Sequence, residues 1–144
     1  QFEGTVRQLS GVDLSYAPPF GSAKDPVHMA AFAACNQIDG IETFYDSDAD
    51  LAGKQLVDVR TPAEIERAPL AGSLLASESG KGIIAIPVDE LRERIGELDP
   101  SLPTVVSCAV GIRGHIAACI LKQHGFNVAN LSGGATVRNR VKFD

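Results

Sequence analysis

The chain has 144 residues, of which 44% are hydrophobic and 22% are charged, and its formal net charge is −5. This composition is typical of a globular domain with a sizeable apolar core, whereas a nucleic-acid-binding surface would be basic. No apolar run approaches the roughly 20 residues that cross a bilayer, and the first residues, QFEGTVRQLSG, lack the basic and apolar regions of a signal peptide. We therefore expect a cytoplasmic protein with neither nucleic-acid nor membrane partners.

The cysteines number three: Cys35, Cys108 and Cys119. An odd number in a chain of this size indicates reduced thiols, at least one of them free to react. No pair has the spacing of zinc ligands, so we expect no metal site. The chain starts with Gln rather than Met, and we expect it to be a fragment or a processed chain.

The first 44 residues differ in pattern from the rest. The segment SYAPPF (15–20) is rich in proline and predicts a connector, and KDPVHMAAFAACNQIDG (24–40) predicts a helix. Asp25 suits the N-cap, Pro26 the first helical position and Gly40 the exit from the helix. The acidic segment YDSDAD that follows predicts a linker. We therefore divide the chain into an N-terminal unit (1–44), a linker (45–51) and a main domain (52–144).

From Lys54 onward, short apolar strands alternate with helices. The predicted strands are QLVDV (55–59), GIIAI (82–86), TVVSC (104–108) and NVANL (127–131), and the predicted helices are TPAEIER (61–67), VDELRERIGEL (88–98) and GHIAACILKQHG (114–125). The segment 70–82 is a loop of small residues. This alternation predicts an α/β fold with a mostly parallel sheet and helices on both faces, preceded by the short helical arm of the N-terminal unit.

The segment CAVGIRG (108–114) carries the main chemical signal. Cys108 ends a predicted strand, and ligands of parallel sheets bind at the carboxyl ends of strands. Gly111 and Gly114 permit a sharp turn into the next helix, where successive backbone N–H groups and the helix start can hold an anion. Arg113 adds a permanent positive charge. We expect a thiol in this setting to react as a thiolate nucleophile.

The other thiols and the nearest histidine have structural interpretations. Cys119 lies in an apolar helical run and Cys35 in the segment AAFAAC, so both are expected to pack in the core. His115 follows the loop directly. It is expected to be a partly exposed helix residue, with a catalytic role as the alternative.

Residues 52–144 resemble a rhodanese domain. The matching segments are LVDVRTPAE, IPVDELRERI, CAVGIRG and LKQHGFNVANLSGG, in the order that this family shows. The resemblance implies a sulfurtransferase with a small sulfur donor and a thiol acceptor, in which Cys108 carries the sulfane sulfur as a persulfide. Asp58 and Arg60 match a motif that braces the active-site side of the sheet in this family. The loop implied to hold the persulfide anion comprises Ala109, Val110, Gly111, Ile112, Arg113 and Gly114.

Two alternatives to sulfur transfer stay open. Many rhodanese-like domains are non-catalytic binding or regulatory modules, but those lack the loop cysteine that this chain retains. The related cell-cycle phosphatases use a C-x5-R loop, whereas Cys108 and Arg113 are spaced C-x4-R. The shorter loop favours a single terminal sulfur over a tetrahedral phosphate.

The segment DLSYAPPFGSAKDPVHMAAFAACN (13–36) resembles the end of the dimerisation domain in flavin-dependent coenzyme A-disulfide reductases and NADH oxidase-like proteins. Some of these pyridine nucleotide-disulfide oxidoreductases carry a C-terminal rhodanese domain. The resemblance implies a parent flavoprotein that binds FAD, NAD(P)H and coenzyme A and forms a homodimer, with Tyr16 near the active site of the partner subunit. This chain lacks the G-x-G-x-x-G dinucleotide fingerprint, so we expect it to hold no cofactor itself and to have the rest of the parent flavoprotein as a partner.

Overall fold

The computed structural model describes residues 3–13, 25–70 and 82–141. Tyr16 with its proline-rich connector, and most of the 70–82 loop, lie outside the described residues. The chain divides into two compact units, residues 1–41 and 42–144. In the described parts of the chain, no helix combines the length and the apolar character that a membrane crossing requires.

The N-terminal unit contains two helices, α1 (Val6–Ser10) and α2 (Pro26–Ile38). The start of α2 is confirmed, because the Asp25 side chain accepts a hydrogen bond from the Val27 N–H at 2.8 Å and Pro26 occupies the first turn. An ion pair between Arg7 and Asp39 joins α1 to the end of α2. Helix α1 was not predicted from the sequence, because it is only five residues long.

The C-terminal unit is built on a parallel sheet. Within the described residues its strands are β1 (Phe44–Tyr45), β2 (Gln55–Asp58), β3 (Ile84–Ala85), β4 (Thr104–Ser107) and β5 (Val128–Leu131). They are ordered β1-β5-β4-β2-β3, and every neighbouring pair is parallel. The helices are α3 (Pro62–Arg67), α4 (Leu91–Arg94), a 3₁₀ helix (Ile95–Glu97), α5 (Ile112–Gln123) and α6 (Gly134–Arg138). The predicted α/β class with a parallel sheet is confirmed.

Apolar side chains are buried on both faces of this sheet. Alternate residues of a strand point to opposite faces. Val57 and Val106 therefore belong to the core cluster that includes residues of α4 and α5, whereas Leu56 and Val105 belong to the cluster that includes α6. Helices cover both faces, as predicted, and Cys108 continues the first of these clusters beyond the end of β4.

The sheet domain begins earlier in the chain than predicted. Residues 45–51 are predicted as a linker, yet Tyr45 lies in β1 and pairs with Leu131 of β5. Leu51 is buried in the core, and the compact unit starts at Glu42. A two-residue strand is too short to show an alternating pattern, which is why the sequence analysis missed β1.

Other element boundaries differ by a few residues. The strand predicted over 82–86 is reduced to Ile84–Ala85, and the helix predicted over 88–98 is one turn of α4 followed by the 3₁₀ helix. The helix predicted from residue 114 begins at Ile112, so the segment between β4 and α5 is only 108–111. Helix α6 was not predicted, because it is short and two glycines lie at its start.

The register of β2 against β4 brings two chemically important strand ends together. Asp58 lies opposite Ser107, and the Val59 N–H donates to the Ser107 carbonyl oxygen at 2.8 Å. The residues that follow, Arg60 on one strand and Cys108 on the other, therefore leave the sheet at the same carboxyl edge.

Candidate active site

Cys108 lies at the junction of β4 and α5. It is only 1% exposed, and its Sγ accepts a hydrogen bond from the Gly111 N–H at 3.0 Å. Gly111 is the N-cap of α5 and has a φ of 117°, a conformation that glycine adopts without the steric cost a side chain would bring. No described side chain caps α5. The Cys108 sulfur therefore binds the backbone N–H of the N-cap residue itself, next to the first amide groups of α5.

The start of α5 provides an environment that suits a negative charge on this sulfur. The first amide groups of a helix have no hydrogen-bond partner within the helix, and the helix dipole places partial positive charge at the same end. Both effects stabilise an anion that lies at this position, such as the terminal sulfur of a persulfide.

The remaining loop residues differ in how they face the solvent. Val110 and Ile112 are 59% and 64% exposed, so their side chains extend into solvent while their backbone forms the loop.

Gly114 is predicted as a turn glycine, but it lies within α5 and its φ is not in the left-handed region. The structure requires glycine there for space, because a Cβ on Gly114 would lie 2.1 Å from Asn130 Oδ1.

Helix α6 donates backbone hydrogen bonds to the loop. The Ala135 N–H donates to the Cys108 carbonyl oxygen at 2.8 Å, and the Thr136 N–H donates to the Ala109 carbonyl oxygen at 3.0 Å. Gly134 has a φ of 57°, and a Cβ at this position would lie 2.4 Å from the Cys108 carbonyl oxygen. The SGG segment of the sequence therefore allows α6 to approach the backbone of the candidate nucleophile closely, a role that the sequence analysis did not identify.

The guanidinium of Arg113 is paired, whereas the sequence analysis treated it as a positive charge near the anion. It donates to both carboxylate oxygens of Glu64, at 2.8 and 2.6 Å. These bonds raise the pKa of Arg113 and hold the pKa of the Glu64 carboxyl well below its usual range. Cys108 also favours the charged form of Arg113 through the weaker Coulomb interaction. The positive charge therefore acts near the sulfur, but Glu64 neutralises much of it.

Asp58 and Arg60 form a buried ion pair at the same edge of the sheet. Their side chains are 0% and 3% exposed, and Arg60 Nη2 lies 2.6 Å from Asp58 Oδ2. Arg60 Nε also donates to Asp58, and Arg60 Nη1 donates to the Ala68 carbonyl oxygen at 2.9 Å. The pair thus connects the end of β2 to the end of α3.

A second polar group, formed by Glu42, His115 and Asn130, contacts the loop at Gly111. Of its members, only His115 was identified from the sequence. Glu42, which is 5% exposed, accepts from Asn130 Nδ2 at 2.6 Å and lies 2.7 Å from His115 Nδ1. Asn130 Nδ2 also donates to the Gly111 carbonyl oxygen at 3.0 Å. His115 is half-buried, in keeping with its predicted place on the helix surface.

Cys35 and Cys119 are both partly exposed rather than fully buried as core residues would be. The Sγ of Cys119 lies 3.8 Å from His115 Nε2. Burial raises the pKa of the Cys119 thiol, and the Glu42 carboxylate acts in the same direction. Cys119 is therefore held in its neutral form at neutral pH, unlike the thiolate expected of a nucleophile.

A cleft of about 220 Å³ opens beside the loop. It is lined by Arg60, Glu64, Arg67, Ala68, Ala109, Ala135, Thr136 and Asn139. The cleft reaches the loop at Ala109, the residue that follows Cys108. Among the described residues no cluster of His, Cys, Asp and Glu could hold a metal ion.

The fold agrees with comparisons to known proteins. The family model for the rhodanese-like domain matches residues 44–137. A sulfurtransferase from Allochromatium vinosum is 32% identical over 100 residues, which is 69% of this chain and 83% of that protein. A tRNA sulfurtransferase from Actinobacillus succinogenes is 30% identical over 91 residues, or 63% of this chain and 16% of the relative. The chain belongs to the rhodanese-like domain family.

Two solved structures are similar over more than this domain. The structure of reduced Bacillus anthracis CoADR-RHD has a TM-score of 0.81 and 37% identity, covering 94% of this chain and 23% of that one. A NAD-dependent persulfide reductase from A. fulgidus has a TM-score of 0.75 and 36% identity, covering 92% of this chain and 22% of that one. This chain therefore spans less than a quarter of either protein, and the similarity extends beyond the 44–137 region.

Proposed function

We propose that this domain is a sulfurtransferase that carries a sulfane sulfur as a persulfide on Cys108. The observation that carries the proposal is the Gly111 N–H bound to Cys108 Sγ at 3.0 Å, at the uncapped start of α5. The shared family and the sulfurtransferase relatives support it. The shortness of the loop, with α5 beginning at Ile112, is in keeping with an anion as small as a terminal sulfur.

The proposed chemistry is a pair of displacements at sulfur. The Cys108 thiolate attacks the outer sulfur of a donor, either thiosulfate or a persulfide, and forms Cys108–S–S⁻ while sulfite or a thiolate leaves with the electron pair of the broken bond. An acceptor thiolate then attacks the outer sulfur of this persulfide, which regenerates the Cys108 thiolate and yields the acceptor persulfide. The N–H groups at the start of α5 stabilise the anion in both steps.

The test is steady-state sulfur transfer from thiosulfate and from glutathione persulfide to an acceptor thiol. We expect the Cys108→Ser variant to fall to the uncatalysed background, because serine cannot form the persulfide. Cys35→Ser is the matched control, since Cys35 lies in the N-terminal unit, and its rate should equal that of the wild type. Substantial transfer by Cys108→Ser would contradict the proposal.

A binding module without turnover is the second candidate, and the 1% exposure of Cys108 is the observation that favours it. The two functions differ in the reactivity of this thiol. Alkylation with iodoacetamide at pH 7, followed at Cys108 by peptide mass spectrometry, distinguishes them. Fast modification supports the sulfurtransferase, and protection from modification supports the binding module.

We further propose that the chain acts with the reductase part of a flavoprotein, to which its own N-terminal unit belongs. The similarity to CoADR-RHD and to the persulfide reductase supports this, because it covers more of the chain than the rhodanese region alone. FAD, NAD(P)H and coenzyme A are then cofactors of a homodimeric parent in the cytoplasm. The 144 residues carry no G-x-G-x-x-G dinucleotide fingerprint. Faster sulfur transfer from coenzyme A persulfide than from glutathione persulfide would support the proposal, and equal rates would contradict it.

A further inference from the structure

We propose that Asn130 and Glu42 are positioning residues for the sulfur-carrying loop: together they hold the Gly111 carbonyl away from Cys108, so that amide N–H groups face the sulfur. The proposal deepens the sulfurtransferase function and rests on it. Neither residue touches Cys108 in the structure. Both act through the peptide group that joins Gly111 to Ile112, which directly follows the Gly111 N–H bound to Cys108 Sγ.

The Gly111 carbonyl oxygen accepts two hydrogen bonds, one from the His115 backbone N–H at 2.8 Å and one from Asn130 Nδ2 at 3.0 Å. In a planar trans peptide the C=O and the following N–H point in opposite directions. Fixing the Gly111 carbonyl therefore also fixes the N–H of Ile112, which is directed towards the open end of α5.

The Asn130 side chain restricts the backbone conformation of Gly111. Gly111 adopts a φ of 117°, and a glycine at the end of a short loop has more accessible backbone conformations than any other residue. A rotated peptide would turn a carbonyl oxygen towards a thiolate or persulfide and repel it. The Asn130 side chain opposes that rotation, and the absence of a side chain on Gly114 provides the space in which it does so.

Hydrogen bonds determine the orientation of the Asn130 side-chain amide. Its Nδ2 donates to the Gly111 carbonyl oxygen and to Glu42 Oε1, while its buried Oδ1 has no hydrogen-bond partner among the described residues. Because Glu42 Oε1 and the Gly111 carbonyl oxygen both accept from the same Nδ2, Glu42 favours the orientation with the NH₂ group towards the loop. The other Glu42 oxygen binds His115 Nδ1, which fixes the carboxylate in turn.

A purely structural role for the group makes a different prediction from a positioning role. If Glu42 only connected the start of the sheet to α5, the stability of the domain would fall in its variants while the reactivity of Cys108 in the folded protein stayed constant. A positioning role requires the reactivity to fall in protein that remains folded. It also requires recovery when the orientation of Asn130 is restored without the charge of Glu42.

The experiment compares Asn130→Ala, Glu42→Ala and Glu42→Gln with the matched control Asn127→Ala, whose side chain is exposed in the turn before β5. The rate of Cys108 alkylation at pH 7 is measured by peptide mass spectrometry, kcat and KM for sulfur transfer are measured in parallel, and circular dichroism melting reports the folded fraction. We expect Asn130→Ala and Glu42→Ala to lower both the alkylation rate and kcat by about tenfold. Glu42→Gln should recover most of the loss, because a glutamine oxygen can accept from Asn130, and the control should match the wild type.

Two results would overturn the proposal: wild-type alkylation in folded Asn130→Ala, or a Glu42→Gln variant as slow as Glu42→Ala. If Asn130→Ala does not fold, the two Glu42 variants decide the question by themselves. Alkylation of Cys108 needs no sulfur donor, so this assay is independent of sulfur transfer. If Cys108 of the wild type is alkylated fast but forms no persulfide, the sulfurtransferase function is contradicted, and the alkylation rates of the variants still test the positioning role of Asn130 and Glu42. A wild type that resists alkylation overturns both.

Discussion

The ion pair of Asp58 and Arg60 is a residue-scale feature whose effect on stability can be measured. Both charges are buried, and each has the other as its partner. Removing one partner of such a pair leaves an uncompensated buried charge, which costs about 3–5 kcal/mol, whereas replacing both is far less costly. The pair was predicted from its motif to brace the sheet, and its effect on folding is the property to test.

We expect Arg60→Met to lower the free energy of unfolding by about 3–5 kcal/mol, because the Asp58 carboxylate stays buried without its guanidinium. The double variant Asp58→Asn/Arg60→Met should be more stable than this single variant. Urea unfolding followed by circular dichroism measures both. A single variant as stable as the double variant would show that the pair does not brace the fold.

The pairing of Arg113 with Glu64 predicts which donors the site accepts. Because the pKa of the Glu64 carboxyl is held well below its usual value of 4.5, Glu64 stays ionised throughout the neutral range. The linked stability is present above pH 4.5 and is lost only as the pH falls through the lowered value. At neutral pH the carboxylate therefore competes with an anionic donor for the Arg113 guanidinium.

Glu64→Gln should lower KM for the dianion thiosulfate several-fold, because Arg113 is then available to the donor. A glutamine at this position can still complete the capping box with Thr61, so α3 should be retained. Glu66→Gln, an exposed change on the same helix, is the matched control. Equal KM values for thiosulfate in the wild type and both variants would contradict the competition.

Site residues that are close together in the sequence could be predicted, whereas those that meet across long sequence separations could not. Cys108 and Gly111 could be predicted because a strand, a thiol, a glycine and a helix follow one another within a few positions. Glu64 could not, since it reaches Arg113 across 49 positions, and Glu42 reaches Asn130 across 88. Contacts of that kind follow from the way helices and strands pack in the folded domain, which a local sequence pattern does not contain.

At the scale of elements, the approach of α6 to the loop depends on Gly134. A side chain there would collide with the Cys108 carbonyl oxygen, and the positive φ adds backbone strain of its own. The strands β2, β4 and β5 could be predicted from their apolar runs. Helix α6 could not, because its position is determined by this close backbone contact rather than by a periodic pattern.

We expect Gly134→Ala to lower the free energy of unfolding by on the order of 1–3 kcal/mol from backbone strain, and to slow Cys108 alkylation because the loop must move. Gly96→Ala is the matched control, since its φ is ordinary and a Cβ there meets no atom within 4 Å. Urea unfolding and peptide mass spectrometry measure the two effects. A Gly134→Ala variant that behaves like Gly96→Ala would contradict the close approach.

At the scale of the whole molecule, the sheet domain extends back to Glu42. The acidic character of residues 45–50 predicted a linker, because charge dominates the local pattern there. The structure instead pairs β1 with β5 and buries Leu51. Both contacts are made to distant parts of the chain, and the local sequence does not reveal them.

Two truncated chains test this boundary. A chain of residues 40–144 keeps β1 and Glu42, and we expect it to unfold cooperatively and to retain Cys108 alkylation. A chain of residues 46–144 loses both, and we expect a lower melting temperature and slower alkylation. Equal stability and reactivity of the two chains would show that the domain begins after residue 45, as the linker prediction had it.

A persulfide on Cys108 can be detected directly from the intact mass of the wild type and of Cys108→Ala after incubation with polysulfide. Each sample is measured with and without subsequent dithiothreitol. We expect the wild type to gain the mass of one sulfur atom, dithiothreitol to remove it, and Cys108→Ala to gain none. An unchanged wild-type mass, or the same gain in Cys108→Ala, would contradict a persulfide on Cys108.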